Sequence, residues 1–197
     1  MKIDYKDKYN SITIVEDPTN GLVKLGLTER FESDRKTKIS NNFISQVNTL
    51  EVNVLKDIIE RLNAMLPLPT KEEKILGLVS SGVPLSTALA LSRGSKFNFS
   101  TSGKFSGYQN VFSFFEGHRE DKKYYFYGVE KNDSVIIIED EVTSGNGLVT
   151  FVKALQDYGV NIIAVCTVIE TITFNAREMI KKETGIDLIS LVKVDVS

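Results

Sequence analysis

Three consecutive acids, Glu139, Asp140 and Glu141, close an apolar β-branched run in "SVIIIEDEVTSGNG". Val142 follows, and then Thr143, Ser144, Gly145, Asn146 and Gly147, a stretch with little side-chain bulk. Neighbouring carboxylates suit the 2′- and 3′-hydroxyls of a ribose. They suit equally a hydrated Mg2+, which keeps several waters and takes one or two carboxylates. Small residues opening a helix let backbone N–H groups close around an anion. The two halves together fit a sugar phosphate, whereas a helix cap alone would need one acid and not three.

Such a constellation needs a strand to carry the acids and a helix to present the amides. Ser134–Ile138 reads as a buried strand, and Asn146–Tyr158 as a helix with its apolar residues at helical spacing. Upstream, "NTLEVNVLKDIIERLNAML" has helical periodicity from Asn48 to Leu66 and is ended by Pro67 and Pro69. "KILGLVSSGVPLSTALALS" reads as strand, small-residue loop and helix, with Pro84 where a first helical turn accepts it. A short strand at Phe97–Phe99 and a hairpin of Val111–Glu116 with Tyr124–Val129 come next. A strand over Ile162–Ile169 and a helix around Ala176–Glu183 complete the alternation. The first forty residues read as polar and strand-poor, with a turn at "DPTNG". Strands alternating with helices predict an α/β chain built on a parallel sheet, whose ligands bind beyond the carboxyl ends of the strands.

The bulk numbers exclude several classes. The 197 residues, 42% hydrophobic and 25% charged, make one globular domain with a full core. A net charge of −2 gives no footprint for nucleic acid or an anionic membrane. The single cysteine, Cys166, lies in an apolar run and excludes an internal disulfide or a cysteine metal cluster. No apolar run reaches the length of a membrane span or marks a signal peptide, so a cytoplasmic location is expected. The hairpin aromatics "YYFYG" are expected to be packing residues, and His118 a solvated residue at the hairpin tip. There is no G-x-x-x-x-G-K-[ST] motif and no G-x-G-x-x-G in the first βα unit.

"VIIIEDEVTSGNG" resembles the phosphoribosyl pyrophosphate (PRPP) motif of the type I phosphoribosyltransferases, and "GLVSSGVPLSTALA" resembles their pyrophosphate loop. "KISNNFISQVNT" and "VIETITFNAREMIKKETGIDLISLVKV" resemble the hood and C-terminal segments of the xanthine and purine-repressor branch. The resemblance spans residues 35–195. It implies a twisted parallel sheet flanked by helices, with a small hood formed by N- and C-terminal segments. One domain, 1–197, would hold a hood segment at 1–47 and a core at 48–197. The activity implied is Mg2+-dependent transfer of a 5-phosphoribosyl group from PRPP to a nucleobase nitrogen, with a purine as acceptor and a homodimer as the assembly. A PRPP-binding regulator without catalysis and an orotate-type enzyme stay open as alternatives.

The resemblance also assigns residues. Glu139 and Asp140 would bind the ribose hydroxyls and the metal, and with Lys104 they form the expected catalytic set. Ser80, Ser81 and Gly82 would hold the pyrophosphate, in a turn where the family often has a cis peptide. Val142, Thr143, Ser144, Gly145, Asn146 and Gly147 would cradle the 5′-phosphate. Phe43, Gln46 and Thr171 are the base-side candidates, and a loop near Thr101–Gly107 would close over the site. Departures are visible too. Glu141 replaces an apolar residue, Gly147 a Ser or Thr, and Thr171 the lysine of xanthine enzymes. "FSTSGK" offers Lys104 alone where the family has an Arg-Lys pair, leaving Lys104, or Arg119 and Lys122 of the hairpin, to supply the charge. Glu141 is expected to point to solvent.

Overall fold

The computed structural model describes residues 4–31, 35–44, 49–116 and 119–197. Three short strands come first, β1 (Ile12–Glu16), β2 (Leu25–Glu29) and β3 (Thr37–Asn41), followed by α1 (Val52–Ala64). Next are β4 (Glu73–Gly77), α2 (Gly82–Arg93), β5 (Lys96–Phe99) and the hairpin strands β6 (Val111–Glu116) and β7 (Arg119–Tyr127). The chain ends with β8 (Ser134–Val142), α3 (Asn146–Tyr158), β9 (Asn161–Thr171), α4 (Ala176–Thr184) and β10 (Leu188–Val196).

A six-stranded sheet runs β1-β10-β9-β8-β4-β5. Its strands are parallel except β1, which pairs antiparallel with β10. The first forty residues are therefore not strand-poor: "ITIVE" forms β1, an edge of the core sheet, and "LGLTE" pairs with "TKISN" as a separate two-stranded hood. Their polar residues alternate with apolar ones that reach the core, as Ile39 does with no exposure at all. The segment 1–47 thus gives the core sheet a strand as well as supplying the hood.

Both faces of the sheet are covered, which is why its strands are continuous apolar runs. Ile136 and Ile138 of β8 pack with α1, α2 and the hood, whereas Val135 and Ile137 pack with α3, α4 and the β6–β7 hairpin. On that second face Phe114 stacks on Phe151 at 4.6 Å between ring centroids, and Phe126 on Phe151 at 5.3 Å. Tyr124 and Phe126 are buried there, so these hairpin aromatics serve as core residues. Hairpin strand β7 starts five residues before the expected Tyr124.

The chain order fixes where a ligand can bind. From β4 the chain moves through α2 outward to β5; from β8 it moves through α3 the other way, to β9. Between the carboxyl ends of β4 and β8 lies the switch point, where the two crossovers part and leave a crevice.

Candidate functional site

β8 does not end at Ile138. Its ladder with β9 continues through Glu139↔Thr167, Glu141↔Ile169 and Val142↔Glu170, so the acids belong to the last residues of the strand. The turn after β4 faces them. Its Val79–Ser80 peptide is cis, as the resemblance implied. Gly77 and Gly82 lie back to back: a Cβ on Gly77 would stand 2.2 Å from the Gly82 carbonyl oxygen, and one on Gly82 would stand 2.9 Å from the Gly77 backbone. Only hydrogen at both positions lets the loop fold down onto its own strand. Ser100, at the end of β5, fixes the other side, its Oγ accepting the Val79 N–H at 2.9 Å.

Two helix N-termini point at this crevice. Neither α2 nor α3 has a side-chain cap, and neither has an acid in its first turn. Their amides and positive dipole ends are left for an external anion. Gly145, the residue before α3, has φ 75° and packs under Ala176 and Met179 of α4. A side chain there would be strained and crowded. Gly147, by contrast, has open space where a Cβ would be.

Asp140 joins the two halves. It is almost fully buried, with the Ser81 side chain near enough to favour its charged form. Burial, helped by the charge of Glu141, pushes its carboxyl up to about 6, against the pull of Lys38 and Ser81. The ionised form is therefore costly, and a cation or hydroxyl donors arriving there would be well received. Glu139 is half-buried beside it. Among the described residues no group of three or more His, Cys, Asp or Glu side chains could hold a metal alone. Two adjacent carboxylates with hard oxygen donors nonetheless fit Mg2+, which takes the rest of its shell from water and substrate phosphates.

Several expected residues lie elsewhere. Glu141 does not point to solvent: its side chain is 5% exposed, ion-paired with Arg35 and accepting from Thr143 Oγ1 at 2.7 Å. Tyr9 lies against the same pair, its hydroxyl raised by burial. Phe43 is fully buried in the core cluster that includes the hood, where Asn41 accepts the N–H groups of Phe43 and Ile44. Thr171 is fully buried at the end of β9, its hydroxyl oxygen without a hydrogen-bond partner among the described residues. Val142 is a core residue, leaving only its backbone for a ligand. Gln46 and His118 lie outside the described residues, as does the Arg119 side chain. Lys122 rests over the Tyr124 ring, 5.1 Å from its centroid. Lys104 lies in an exposed loop that leaves the sheet beside the β4 turn, where Thr101 pairs with Tyr125. Phe105 and Tyr108 of that loop rest on Tyr127. Cys166 is fully buried and its thiol is pushed upward by burial, an inert group.

The sequence reading missed Arg35, Lys38 and Tyr9, which the hood brings to the acidic strand end. Nothing local in "DRKTKIS" marks them, since their partners are a hundred residues away along the chain.

The fold and its crevice define an open parallel α/β protein whose switch point is lined by two uncapped helix N-termini. No family model matches the chain. The hypoxanthine/guanine phosphoribosyltransferase of Methanothermus fervidus is 30% identical over 147 residues, 74% of this chain and 76% of the relative. That of Methanococcus voltae is 29% identical over 153 residues, covering 74% and 75%. Among solved structures, the adenine phosphoribosyltransferase of Thermoanaerobacter pseudethanolicus superposes with a TM-score of 0.68 at 18% identity, over 86% of this chain and 95% of that one. The Giardia lamblia enzyme complexed with 9-deazaadenine gives 0.65 at 18%, over 86% and 93%. The chain belongs to the type I phosphoribosyltransferase family.

Proposed function

We propose that this protein transfers the 5-phosphoribosyl group of PRPP to a ring nitrogen of a purine base and releases pyrophosphate. The observation that carries the reading is the convergence of two uncapped helix N-termini on the buried Asp140. The names of the M. fervidus and T. pseudethanolicus relatives support a purine over orotate as the acceptor.

In this reading the amides of Thr143–Gly147 hold the 5′-phosphate, and Asp140 and Glu139 accept hydrogen bonds from the ribose hydroxyls. The Ser80–Gly82 turn takes the pyrophosphate, with Lys104 reaching it when its loop closes and excludes water. As the bond from C1 to pyrophosphate lengthens, positive charge grows on the ribose ring and negative charge on the leaving group. Asp140 and Glu139 stabilise the first; the α2 amides and Lys104 stabilise the second. Mg2+, held by Glu139 and Asp140 when bound, would neutralise pyrophosphate charge. The homodimer and the cytoplasmic location belong to the same proposal. Exposed Phe97 and Phe99 on the edge strand β5 are consistent with a partner, and no described helix is long and apolar enough to cross a membrane.

The test is phosphorus NMR of the protein with PRPP, Mg2+ and a pool of purine and pyrimidine bases. Pyrophosphate and a new phosphomonoester should grow together, and only when bases are present. Broadened PRPP lines without turnover would mean a PRPP-binding protein that does not catalyse transfer.

A further inference from the structure

Glu141 stands directly after the two acids assigned to the ribose, where the family resemblance expects an apolar side chain. Burying a carboxylate is costly unless it is paired, and a buried ion pair adds little stability over the apolar contact it replaces. What the charge supplies must therefore lie in the bonds it makes.

Both of its side-chain bonds among the described residues end on one oxygen. Glu141 Oε1 accepts the Thr143 Oγ1 hydroxyl at 2.7 Å and also the Arg35 guanidinium. Thr143 opens the loop before α3, and its side chain is itself buried. The far end of that loop is fixed by packing: Gly145 lies against α4, where a Cβ would stand 3.1 Å from both Ala176 and Met179. The loop amides are thus held between two anchors, the α4 contact and Glu141. On the other side, Arg35 lies two residues ahead of β3, whose Thr37 Oγ1 accepts the Tyr9 N–H at 3.0 Å. The Tyr9 ring tilts against Phe174, 5.8 Å between centroids, just after β9. The guanidinium bond therefore ties the hood to the same carboxylate that holds the loop.

A hydroxyl has one proton to donate. With that of Thr143 directed to Glu141, the loop meets a phosphate through amides that this bond sets in place. An apolar side chain at 141 could supply neither bond. We infer that Glu141 is a positioning residue, one carboxylate oxygen setting the phosphate loop through Thr143 and docking the hood through Arg35. The inference rests on the reading above, which puts the 5′-phosphate in that loop and the base beside the hood.

The experiment measures PRPP affinity in Mg2+ by calorimetry, beside KM for the base. It compares the wild type, Glu141→Leu, Glu141→Gln, Thr143→Val and the Glu141→Leu/Thr143→Val pair. Glu141→Leu should bind PRPP roughly tenfold more weakly, about the strength of a hydrogen bond to a charged group, and raise KM for the base by a similar factor. Thr143→Val should match it on PRPP but leave KM for the base within about twofold, since the Arg35 bond survives. The pair should be no weaker on PRPP than Glu141→Leu alone, because both changes break one bond. Glu141→Gln keeps an oxygen for Thr143 and should stay within about threefold of the wild type on PRPP. If Glu141→Leu does not fold, Arg35→Met/Glu141→Leu compared with Arg35→Met reads the same loss. Losses that add in the pair would make the Thr143 hydroxyl a direct phosphate contact and overturn the assignment, as would a Glu141→Leu protein that binds PRPP as tightly as the wild type. A wild type that binds PRPP but transfers to no base would sink the transferase reading alone, with the calorimetric cycle still deciding Glu141. One that binds no PRPP would overturn both.

Discussion

On the β4 side of the crevice every contact is made by the ends of neighbouring parallel strands. Ser81 lies beside Asp140, Ser100 holds the Val79 amide, and the α2 and α3 amides extend from turns a few residues long. On the hood side Glu141 meets Arg35 across 106 residues of chain, and Lys38 arrives on a strand of a different sheet. The first side uses backbone and small residues; the second uses long, charged side chains. A backbone site cannot easily be removed by one substitution but is spoiled by any Cβ that shifts it. A side-chain site loses one interaction at a time.

The largest effect should come from Asp140→Asn, with phosphoribosyl transfer falling by about a thousandfold as the charge at the ribose is lost. The same change should stabilise the unliganded protein. The Asp140 carboxyl is raised from its ordinary 3.8 to about 6, so it favours the folded state most when protonated. That advantage is complete below pH 3.8 and is lost as pH rises through 6. At pH 7.5 the buried carboxylate costs on the order of 3 kcal/mol, which Asn avoids. Urea melts without Mg2+ or PRPP should show the variant ahead at pH 7.5 and level with the wild type by pH 4. A less stable variant at pH 7.5 would mean that Asp140 holds the fold rather than a ligand.

Gly77→Ala adds one methyl group against the Gly82 carbonyl and must displace the turn after β4. A displacement of about 1 Å at the pyrophosphate should cost about a hundredfold in kcat/KM, since misplacement of that size is known to do so. Steady-state kinetics on a variant shown to be folded by circular dichroism would decide it. Full activity would mean that the turn tolerates movement and that amide placement is not what it supplies.

This contrast also explains what could be read from the chain. The α/β order, the acids at the end of β8, the small-residue loop before α3 and the turn after β4 were legible because each is a contiguous segment with a distinctive composition. The burial of Phe43 was not legible because an aromatic near a hood reads the same whether it faces a base or the core; the Asn41 turn that buries it is a three-dimensional fact. Glu141 looked solvated because its partner is far off in sequence. The β8 strand ran past its apolar residues because pairing with Thr167 to Glu170 holds acids in a ladder that their own propensity does not favour.

Arg35→Met should separate the two sides further. It removes the partner of a Glu141 that is 5% exposed, so stability should fall by about 3 kcal/mol, as for other half-broken buried pairs. With the hood less firmly docked, KM for the base should rise roughly tenfold while PRPP affinity changes little, because the phosphate side does not use Arg35. Pairing Arg35→Met with Glu141→Leu should recover part of the stability. An equal loss on PRPP and base would show that the Glu141–Thr143 hydrogen bond carries the disturbance into the phosphate loop, and that the two sides are not independent.

The smallest effect tests the backbone side by addition. Gly147 has open space where a Cβ would stand and an ordinary φ, in the first turn of an α3 that lacks a side-chain cap. Gly147→Ser should therefore fit without displacing a neighbour and place a hydroxyl among amides already aimed at the phosphate. One added hydrogen bond contributes about 1 kcal/mol, so calorimetry should find PRPP bound about fivefold more tightly. If affinity is unchanged while the protein is slightly more stable, the amides alone saturate the phosphate, and the serine acts only by removing the conformational freedom of glycine.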